Sequence, residues 1–212
     1  MRGKFLTIEG VEGVGKTTNI QYIKEWLDFK KLPYICSREP GGTPFAEEIR
    51  QLLLTPRDEL VCDKAELLLM FAARAQHLDQ FLEPELRSGK WVLCDRFTDA
   101  TYAYQGGGRN MDSQMIANLE SMVQGQLRPD LTLILDISPQ LGLKRANQRG
   151  SLDRFEREEI EFFERVRETY QIIANREPER CAIIDASLSL PEVQAQIKRA
   201  LDTFWLSLDL DG

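Results

Sequence analysis

Three glycines, a lysine and a threonine lie close together near the start of the chain, in the order Gly10-x-x-Gly13-x-Gly15-Lys16-Thr17. Glycine lets the backbone curl so that successive N–H groups point towards one anion. A lysine at this spacing reaches the β- and γ-phosphates of a bound nucleotide, and the threonine hydroxyl binds Mg²⁺. The pattern predicts binding of a nucleoside triphosphate with its magnesium ion, but it does not identify the phosphate acceptor.

The segments on either side of this loop are those that a phosphate-binding loop, or P-loop, requires. Residues 5–8 are apolar and predict a strand, and residues 18–28 predict a helix whose positive dipole end faces the anion. A chance glycine turn between strand and helix is the alternative interpretation. The residues predicted to bind the nucleotide are Gly10, Val11, Glu12, Gly13, Val14, Gly15, Lys16, Thr17 and Thr18.

Composition limits what the chain can bind elsewhere. The 212 residues suit one domain, 1–212, and carry a net charge of −7, which disfavours a broad nucleic-acid or anionic-membrane surface. The four cysteines are far apart and form no C-x-x-C pair, so neither a zinc site nor a disulfide framework is indicated. No apolar run approaches membrane-spanning length and no signal-peptide pattern is present, so we expect a cytoplasmic protein.

Alternating apolar strands and helices predict an α/β fold with a parallel sheet and helices on both faces. The predicted strands are 5–8, 34–37, 91–94, 131–136 and 182–185. Among the helices, we predict 44–54, 98–104, 112–123 and 156–175, and a long one that a capping box of Asp63 and Glu66 opens. Pro84 should kink or restart that long helix.

Several arginines follow strand ends or border a break in helical periodicity. Arg38, Arg74 and Arg96 occupy positions where a second ligand could sit, and Arg145 and Arg149 flank an irregular charged stretch. Phosphoryl transfer between two anions needs such cations to offset repulsion. The pattern suits a kinase with a small phosphorylated acceptor. As alternatives, Arg96 could form a structural ion pair with a neighbour, and the charges of 144–159 could be a solvated helix surface.

The chain resembles the bacterial thymidylate kinases over nearly its full length. The motifs that carry the resemblance are Glu9-Gly-Val-Glu-Gly-Val-Gly-Lys-Thr-Thr18, Arg38-Glu-Pro-Gly-Gly-Thr43, Phe71-Ala-Ala-Arg74, Asp95-Arg96, Tyr104-Gln-Gly-Gly-Gly108, Arg128-Pro-Asp130 and Leu152-Asp-Arg154. The resemblance implies ATP- and Mg²⁺-dependent conversion of dTMP to dTDP, and a homodimer. It also implies the three-layer P-loop NTPase fold with a five-stranded parallel sheet and a mobile lid at about residues 145–156.

The resemblance also implies roles for individual residues. Lys16, Arg96 and Arg149 would be catalytic, and Thr17 with Asp95 would hold the metal ion. Arg145 would contact the nucleotide. Arg38 and Arg96 would hold the dTMP phosphate, for which the planar guanidinium fork is suited. The remaining acceptor contacts would come from Glu12 at the sugar 3′-hydroxyl, Tyr104 where a ribose carries its 2′-hydroxyl, and Phe71, Arg74, Thr101 and Gln105 at the thymine.

Some of these implied roles have competing interpretations. Phe71 lies on an amphipathic helix, where an aromatic ring is usually part of the core. Phe97 follows Arg96 where relatives often carry Tyr or His, so a hydrogen bond from that ring is not expected. His77, the only histidine, is given no role.

Two rival functions remain open at this point. A related kinase could use another nucleoside monophosphate or a nucleoside, although the several cations favour a monophosphate. A nucleotide-dependent switch or assembly protein is the second rival. The guanine-reading motif Asn-Lys-x-Asp is absent from the sequence, and a switch would hydrolyse nucleotide slowly without any acceptor.

Overall fold

Five parallel strands form one sheet in the computed structural model, which describes residues 2–147 and 153–210. The strands are β1 Phe5–Glu9, β2 Tyr34–Arg38, β3 Trp91–Asp95, β4 Leu131–Asp136 and β5 Cys181–Asp185. Their order is β2-β3-β1-β4-β5, so β1 lies in the centre with β3 and β4 beside it. This confirms the predicted five-stranded parallel sheet.

The central strands are apolar because both faces of the sheet are covered. All five residues of β1 are buried. Leu6 and Ile8 pack into one hydrophobic cluster, whereas Phe5 packs into a separate one. Alternate side chains of a strand point to opposite faces, so these two clusters are the cores of the layers above and below the sheet. The three-layer arrangement follows.

Helices connect the strands and cover both faces. They are α1 Lys16–Phe29, α2 Pro44–Leu54, α3 Asp63–His77, α4 Glu83–Arg87, α5 Thr98–Thr101, α6 Ser113–Val123, α7 Pro139–Asn147, α8 Ile160–Arg176 and α9 Leu190–Leu210, with π-helical segments at Leu78–Leu82 and Tyr102–Gly108. Pro84 lies in the first turn of α4, which restarts the helix after the first π-helical segment.

One predicted helix end has a different structure. The capping box of Asp63 and Glu66 is wrong, because Cys62 is the N-cap residue of α3 and makes no side-chain capping hydrogen bond. Glu66 is fully buried and its carboxylate is occupied by Gln105, Arg109 and Arg154 instead. A carboxylate buried among cations cannot also turn back to cap its own helix.

Two more boundaries differ from prediction by more than two residues. The helix that follows the charged stretch begins at Ile160, not at residue 156, and residues 153–159 form turns, here called the 153–159 turn. The glycines expected to end the 98–104 helix lie inside the second π-helical segment. A Cβ atom at Gly108 would be 2.4 Å from the Phe162 ring. Glycine therefore lets this segment approach α8 closely, which no helical periodicity predicts.

Within residues 2–147 and 153–210, we find no helix that combines the length and the apolar character needed to cross a membrane.

Candidate active site

The glycine loop joins the end of β1 to the start of α1. Gly10, Gly13 and Gly15 have φ angles of 132°, 72° and 89°, which residues with side chains rarely adopt. A Cβ atom at Gly13 would also lie 1.9 Å from the carbonyl oxygen of Gly142 in α7. The backbone path of the loop therefore depends on glycine.

Lys16 begins α1, and its ammonium group donates a hydrogen bond of 3.3 Å to the carbonyl oxygen of Gly10. The pKa of Lys16 is lowered, first by desolvation in the loop and then by the positive charge of Arg96. The positive charges of Lys16 and Arg96 are close enough to repel each other. An anion bound between Lys16 and Arg96 would offset that repulsion.

A cavity of about 500 Å³ opens beside the loop. It lies beyond the carboxyl ends of β1 and β3, where ligands bind in open parallel sheets. The lining contains most of the predicted site residues, namely Glu12, Gly13, Val14, Gly15, Lys16, Thr17, Thr18, Arg74, Asp95, Arg96, Thr101, Tyr104, Gln105 and Arg145. Val11 is buried behind the loop in the core. Arg149 lies outside the described residues.

Arg96 lines the cavity and is held in place by Glu12 and Tyr104. Its Nη2 atom donates a hydrogen bond of 2.8 Å to Glu12, and its guanidinium carbon lies 4.6 Å from the centre of the Tyr104 ring. The Tyr104 hydroxyl also donates to Glu12 at 2.8 Å. The Nη1 atom of Arg96 is buried and has no hydrogen-bond partner within the described parts of the chain. That N–H group is available to an anionic ligand.

Arg74 is fixed in the same manner on the other side of the cavity. Its Nε atom donates to Glu39 at 2.7 Å and its Nη2 atom to Thr101 at 2.9 Å. His77 contacts the second oxygen of Glu39 at 3.0 Å, so the lone histidine supports this carboxylate from behind. Nη1 of Arg74 is buried, and none of the residues that the structure describes accepts a hydrogen bond from it. It can therefore donate to a ligand acceptor atom.

Asp95 and Thr17 are the residues that the sequence predicts to hold a metal ion. Both line the cavity, and Oδ1 of Asp95 is buried without a hydrogen-bond partner in residues 2–147 and 153–210. A carboxylate and a hydroxyl are ligands that suit Mg²⁺. The same residues contain no group of three His, Cys, Asp or Glu side chains placed to hold a metal ion. Most ligands of the ion would therefore be phosphate and water oxygens.

Two predicted acceptor residues do not reach the cavity. Arg38 has a side chain that is 54% exposed and pairs with Glu47 at 2.8 Å, outside the described lining. Phe71 is 2% exposed and packs with Leu67 and Ile116, beneath the guanidinium group of Arg74. We therefore correct the expectation that Phe71 stacks on a base: its ring belongs to the core, the alternative noted from the amphipathic pattern.

Two residues that the sequence did not single out line the cavity instead. Met70 precedes Phe71 on α3, and one residue corresponds to about 100° of rotation around a helix, so only one of the two can face the ligand. Arg50 on α2 is held by the carbonyl oxygen of Pro40 at 2.8 Å. Its pKa is lowered by burial and then by Arg38. Met70 lies four residues before Arg74 and so on the same face of the helix, and this spacing could have identified Met70 from the sequence.

Glu9 lies behind Arg96 at the end of β1 and is fully buried. Its carboxyl group accepts hydrogen bonds of 2.7 Å from the backbone N–H of Phe97 and from the hydroxyl of Tyr170. Arg96, the residue before Phe97, has a φ angle of 69°. Glu9 thus holds the backbone at Phe97, directly after Arg96, whose backbone is in the left-handed conformation. Burial, and then the charge of Asp99, raise the pKa of Glu9 to about 8.

This raised pKa predicts how stability depends on pH. The folded protein keeps the Glu9 proton up to about pH 8, whereas an unfolded glutamate loses it near 4.5, so the stabilisation is present at low pH and is lost as pH rises through 8. We expect the free energy of unfolding to fall between about pH 5 and pH 9, and Glu9→Gln to reduce that fall by on the order of a few kcal/mol. Urea unfolding at several pH values measures both. Glu164→Gln, at an exposed position of α8, should keep the wild-type slope, and an unchanged slope in Glu9→Gln would contradict the expectation.

Sequence comparison identifies relatives along nearly the whole chain. A family model described as thymidylate kinase matches residues 8–197. A thymidylate kinase of Teredinibacter turnerae is 55% identical over 204 residues, which are 96% of this chain and 100% of the relative. A thymidylate kinase of Hahella chejuensis is 55% identical over 200 residues, covering 94% and 96% of the two chains.

Comparison of structures leads to the same group. The crystal structure of thymidylate kinase from Ehrlichia chaffeensis superposes with a TM-score of 0.76 at 31% sequence identity. The match covers 95% of this chain and 99% of the other. Sequence and fold therefore agree on the proteins that this chain is similar to.

Proposed function

Because this chain belongs to the thymidylate kinase family, and so is an ATP-dependent kinase that phosphorylates dTMP to dTDP, we propose which of its residues perform each part of that reaction. One observation carries the assignment. A single cavity joins the phosphate-binding loop to Arg74 and Arg96, each with a buried N–H group that has no acceptor in the described residues. A donor and an acceptor anion can therefore meet there.

The donor side is formed by the glycine loop. Backbone N–H groups of residues 10–18 and the N-terminus of α1 bind the polyphosphate of ATP, and Lys16 neutralises charge on the transferred group. Arg145, held by the carbonyl oxygen of Ala186 at 3.2 Å, lies where it can contact the nucleotide. Arg149 is proposed to add positive charge from the lid, residues 145–156.

Mg²⁺ is the cofactor that this donor site is proposed to use. The hydroxyl of Thr17 and the carboxylate of Asp95 would hold it, since the Asp95 oxygen without a partner fits a hard cation. When bound, the ion offsets the negative charge of the phosphates. Asp95 also lies near Lys16, and its negative charge partly offsets the lowering of the Lys16 pKa by burial and by Arg96.

The acceptor side holds dTMP by its two ends. Arg96 and Arg50 are proposed to bind the 5′-phosphate, with Arg38 available nearby because its charge already acts on Arg50. At the other end, Arg74 donates to the thymine, and Thr101 orients Arg74 through its hydroxyl. Met70 provides the apolar surface against which the base lies. Because the phosphate and the base are both bound, the site selects acceptors in which these two groups are the right distance apart.

The reaction proposed is in-line transfer of the γ-phosphoryl group to an oxygen of the dTMP phosphate. A phosphate oxygen is already ionised and nucleophilic, so no strong general base is needed. Catalysis comes from holding the two phosphates in line and from stabilising charge in the transition state. Lys16 and Arg96 are the described cations placed for this task.

Tyr104 is proposed to exclude ribonucleotides. Its hydroxyl is held by Glu12 at 2.8 Å, so its ring cannot easily move aside for a 2′-hydroxyl group. We expect Tyr104→Ala to lower the ratio of kcat/KM for dTMP to that for its ribose form by roughly 10-fold, the scale for one small group in a fitted pocket. Tyr104→Phe keeps the ring but loses the hydrogen bond to Glu12, so the ratio should fall less than in Tyr104→Ala. Unchanged selectivity in Tyr104→Ala would refute this role.

An acceptor panel tests the function directly. ADP release is measured by a coupled assay with dTMP, dUMP, dCMP, dGMP and AMP side by side. Release that depends on dTMP and exceeds that with the other acceptors is the expected result. ADP release at the same rate without any acceptor would indicate a nucleotide-hydrolysing switch, and preference for another monophosphate would overturn the acceptor assignment.

A homodimer in the cytoplasm is proposed as the working form of this single domain. Leu68 of α3 and Met115 and Met122 of α6 are large apolar residues that are exposed in the single chain. Helices α3 and α6 contact each other. An apolar surface shared by adjacent helices supports association with a second copy.

A further inference from the structure

We propose that Glu66 is a positioning residue that fixes the acceptor-reading side chain of Gln105 and the 153–159 turn relative to each other. The proposal rests on the acceptor site described above. Glu66 belongs to α3 and is 0% exposed, but it does not line the cavity described above. A buried carboxylate is costly unless hydrogen bonds and cations surround it.

One carboxylate oxygen holds the acceptor side. Oε1 of Glu66 accepts a hydrogen bond of 2.8 Å from Nε2 of Gln105. Gln105 lines the cavity and is 1% exposed. Its amide nitrogen is committed to Glu66, so the amide oxygen is left to accept a hydrogen bond from an N–H group of the bound base. Glu66 thereby fixes which end of the amide meets the acceptor.

The other oxygen holds the 153–159 turn. Oε2 of Glu66 accepts a hydrogen bond of 2.6 Å from Nη2 of Arg154. Nε of Arg154 also donates to the carbonyl oxygen of Leu53 at 2.7 Å, which ties the turn to α2. The residues on either side, Asp153 and Phe155, line the cavity, whereas Arg154 is outside the lining. Arg154 therefore sets the position of a cavity wall without facing the ligand.

Arg109 completes the cluster and supplies its second positive charge. Its Nη2 atom lies 3.2 Å from Oε2 of Glu66 and 2.7 Å from Oε1 of Glu158. Its guanidinium carbon lies 4.9 Å from the centre of the Phe162 ring. Arg109 also lies 3.8 Å from Asp63, so the two arginines meet three carboxylates. Among the described hydrogen bonds, only Glu66 contacts both Gln105 and Arg154. Glu158 offers a control that removes a charge from the same cluster.

The test compares Glu66→Gln with Glu158→Gln and Arg154→Lys in the full chain. Steady-state kinetics give KM for dTMP and kcat, and circular dichroism with thermal melting reports folding. Loss of one charge-assisted hydrogen bond corresponds to roughly 10-fold, so we expect KM for dTMP to rise about 10-fold in Glu66→Gln. We expect KM for dTMP to rise about fivefold in Arg154→Lys and less than about twofold in Glu158→Gln. Because Arg154 is outside the cavity lining, loss of a direct ligand contact would not explain its effect.

Each outcome separates positioning from a purely structural role. A structural role lowers melting temperature and kcat by reducing the folded fraction, but it leaves KM for dTMP unchanged. Folded Glu66→Gln with wild-type KM overturns the proposal, as does an equal rise in Glu158→Gln. If Glu66→Gln does not fold, Arg154→Lys decides, and wild-type KM in that variant overturns it. If the wild-type protein does not phosphorylate dTMP at all, the acceptor assignment itself is refuted.

Discussion

Replacing Lys16 with alanine is expected to lower kcat by at least ~10²-fold, the scale for losing one preorganised donor. Lys16 begins α1 beside the loop glycines, and its pKa is lowered by burial and then by the nearby charge of Arg96. Removing its ammonium group leaves charge on the transferred phosphoryl group less stabilised, while the backbone of the loop still binds phosphate. The effect on kcat should therefore exceed the effect on KM for ATP.

The measurement is steady-state ADP release at saturating dTMP, with ATP varied. Lys24→Ala serves as the control, because Lys24 lies on the same helix but outside the described lining of the cavity. It should retain wild-type kcat within about twofold, as surface changes usually do. Near-normal turnover in Lys16→Ala would show that this lysine has no catalytic role.

The sheet was predictable because its signals are local. β4 was predicted with both ends correct, and so was α2, whose start is marked by Thr43 as N-cap and Pro44. The side chain of Thr43 does accept a hydrogen bond from the backbone N–H of Ala46. Where a residue acts on its own helix or strand, the sequence alone identifies its role.

The errors concern residues whose partners are distant in the chain. Glu66, three residues after Asp63, resembles a capping residue, yet its partners lie 39 and 88 positions away. The glycines of the second π-helical segment resemble a helix end, yet they allow contact with α8. No local pattern contains either contact, so propensity gives the wrong prediction.

The candidate site also has one part that the sequence predicts well and one that it predicts poorly. The donor loop is one continuous segment, and its geometry follows from glycine spacing. The acceptor side is assembled from α2, α3, β3 and the second π-helical segment, and the direction of each side chain depends on packing. The sequence shows that arginines and an aromatic residue lie near the site. It does not show that Arg50 and Met70 line the cavity in place of Arg38 and Phe71.

Arg96→Ala is expected to lower kcat/KM for dTMP by roughly 10³-fold, because the role proposed for Arg96 combines binding of the acceptor phosphate with stabilisation of the transition state. The substitution removes a guanidinium group that lines the cavity and has a buried N–H group without a partner in the described residues. It also leaves Glu12 with the hydroxyl of Tyr104 but without its cation, so a negative charge would face the incoming phosphate. Both changes weaken the binding of dTMP. The fold-change in kcat/KM for dTMP should therefore exceed the fold-change in KM for ATP.

Arg96→Lys separates charge from geometry. Lysine keeps the positive charge but cannot contact Glu12 and a phosphate oxygen together through a planar fork, so we expect an intermediate loss of roughly 30-fold. Arg167→Ala is the matched control, since Arg167 forms a two-point ion pair with Asp136 at 2.6 and 2.7 Å outside the described lining. Kinetics with varied dTMP at saturating ATP measure all three variants. If Arg96→Ala and Arg167→Ala lose activity equally, Arg96 contributes only as an ion pair, and the acceptor phosphate must be bound by other cations.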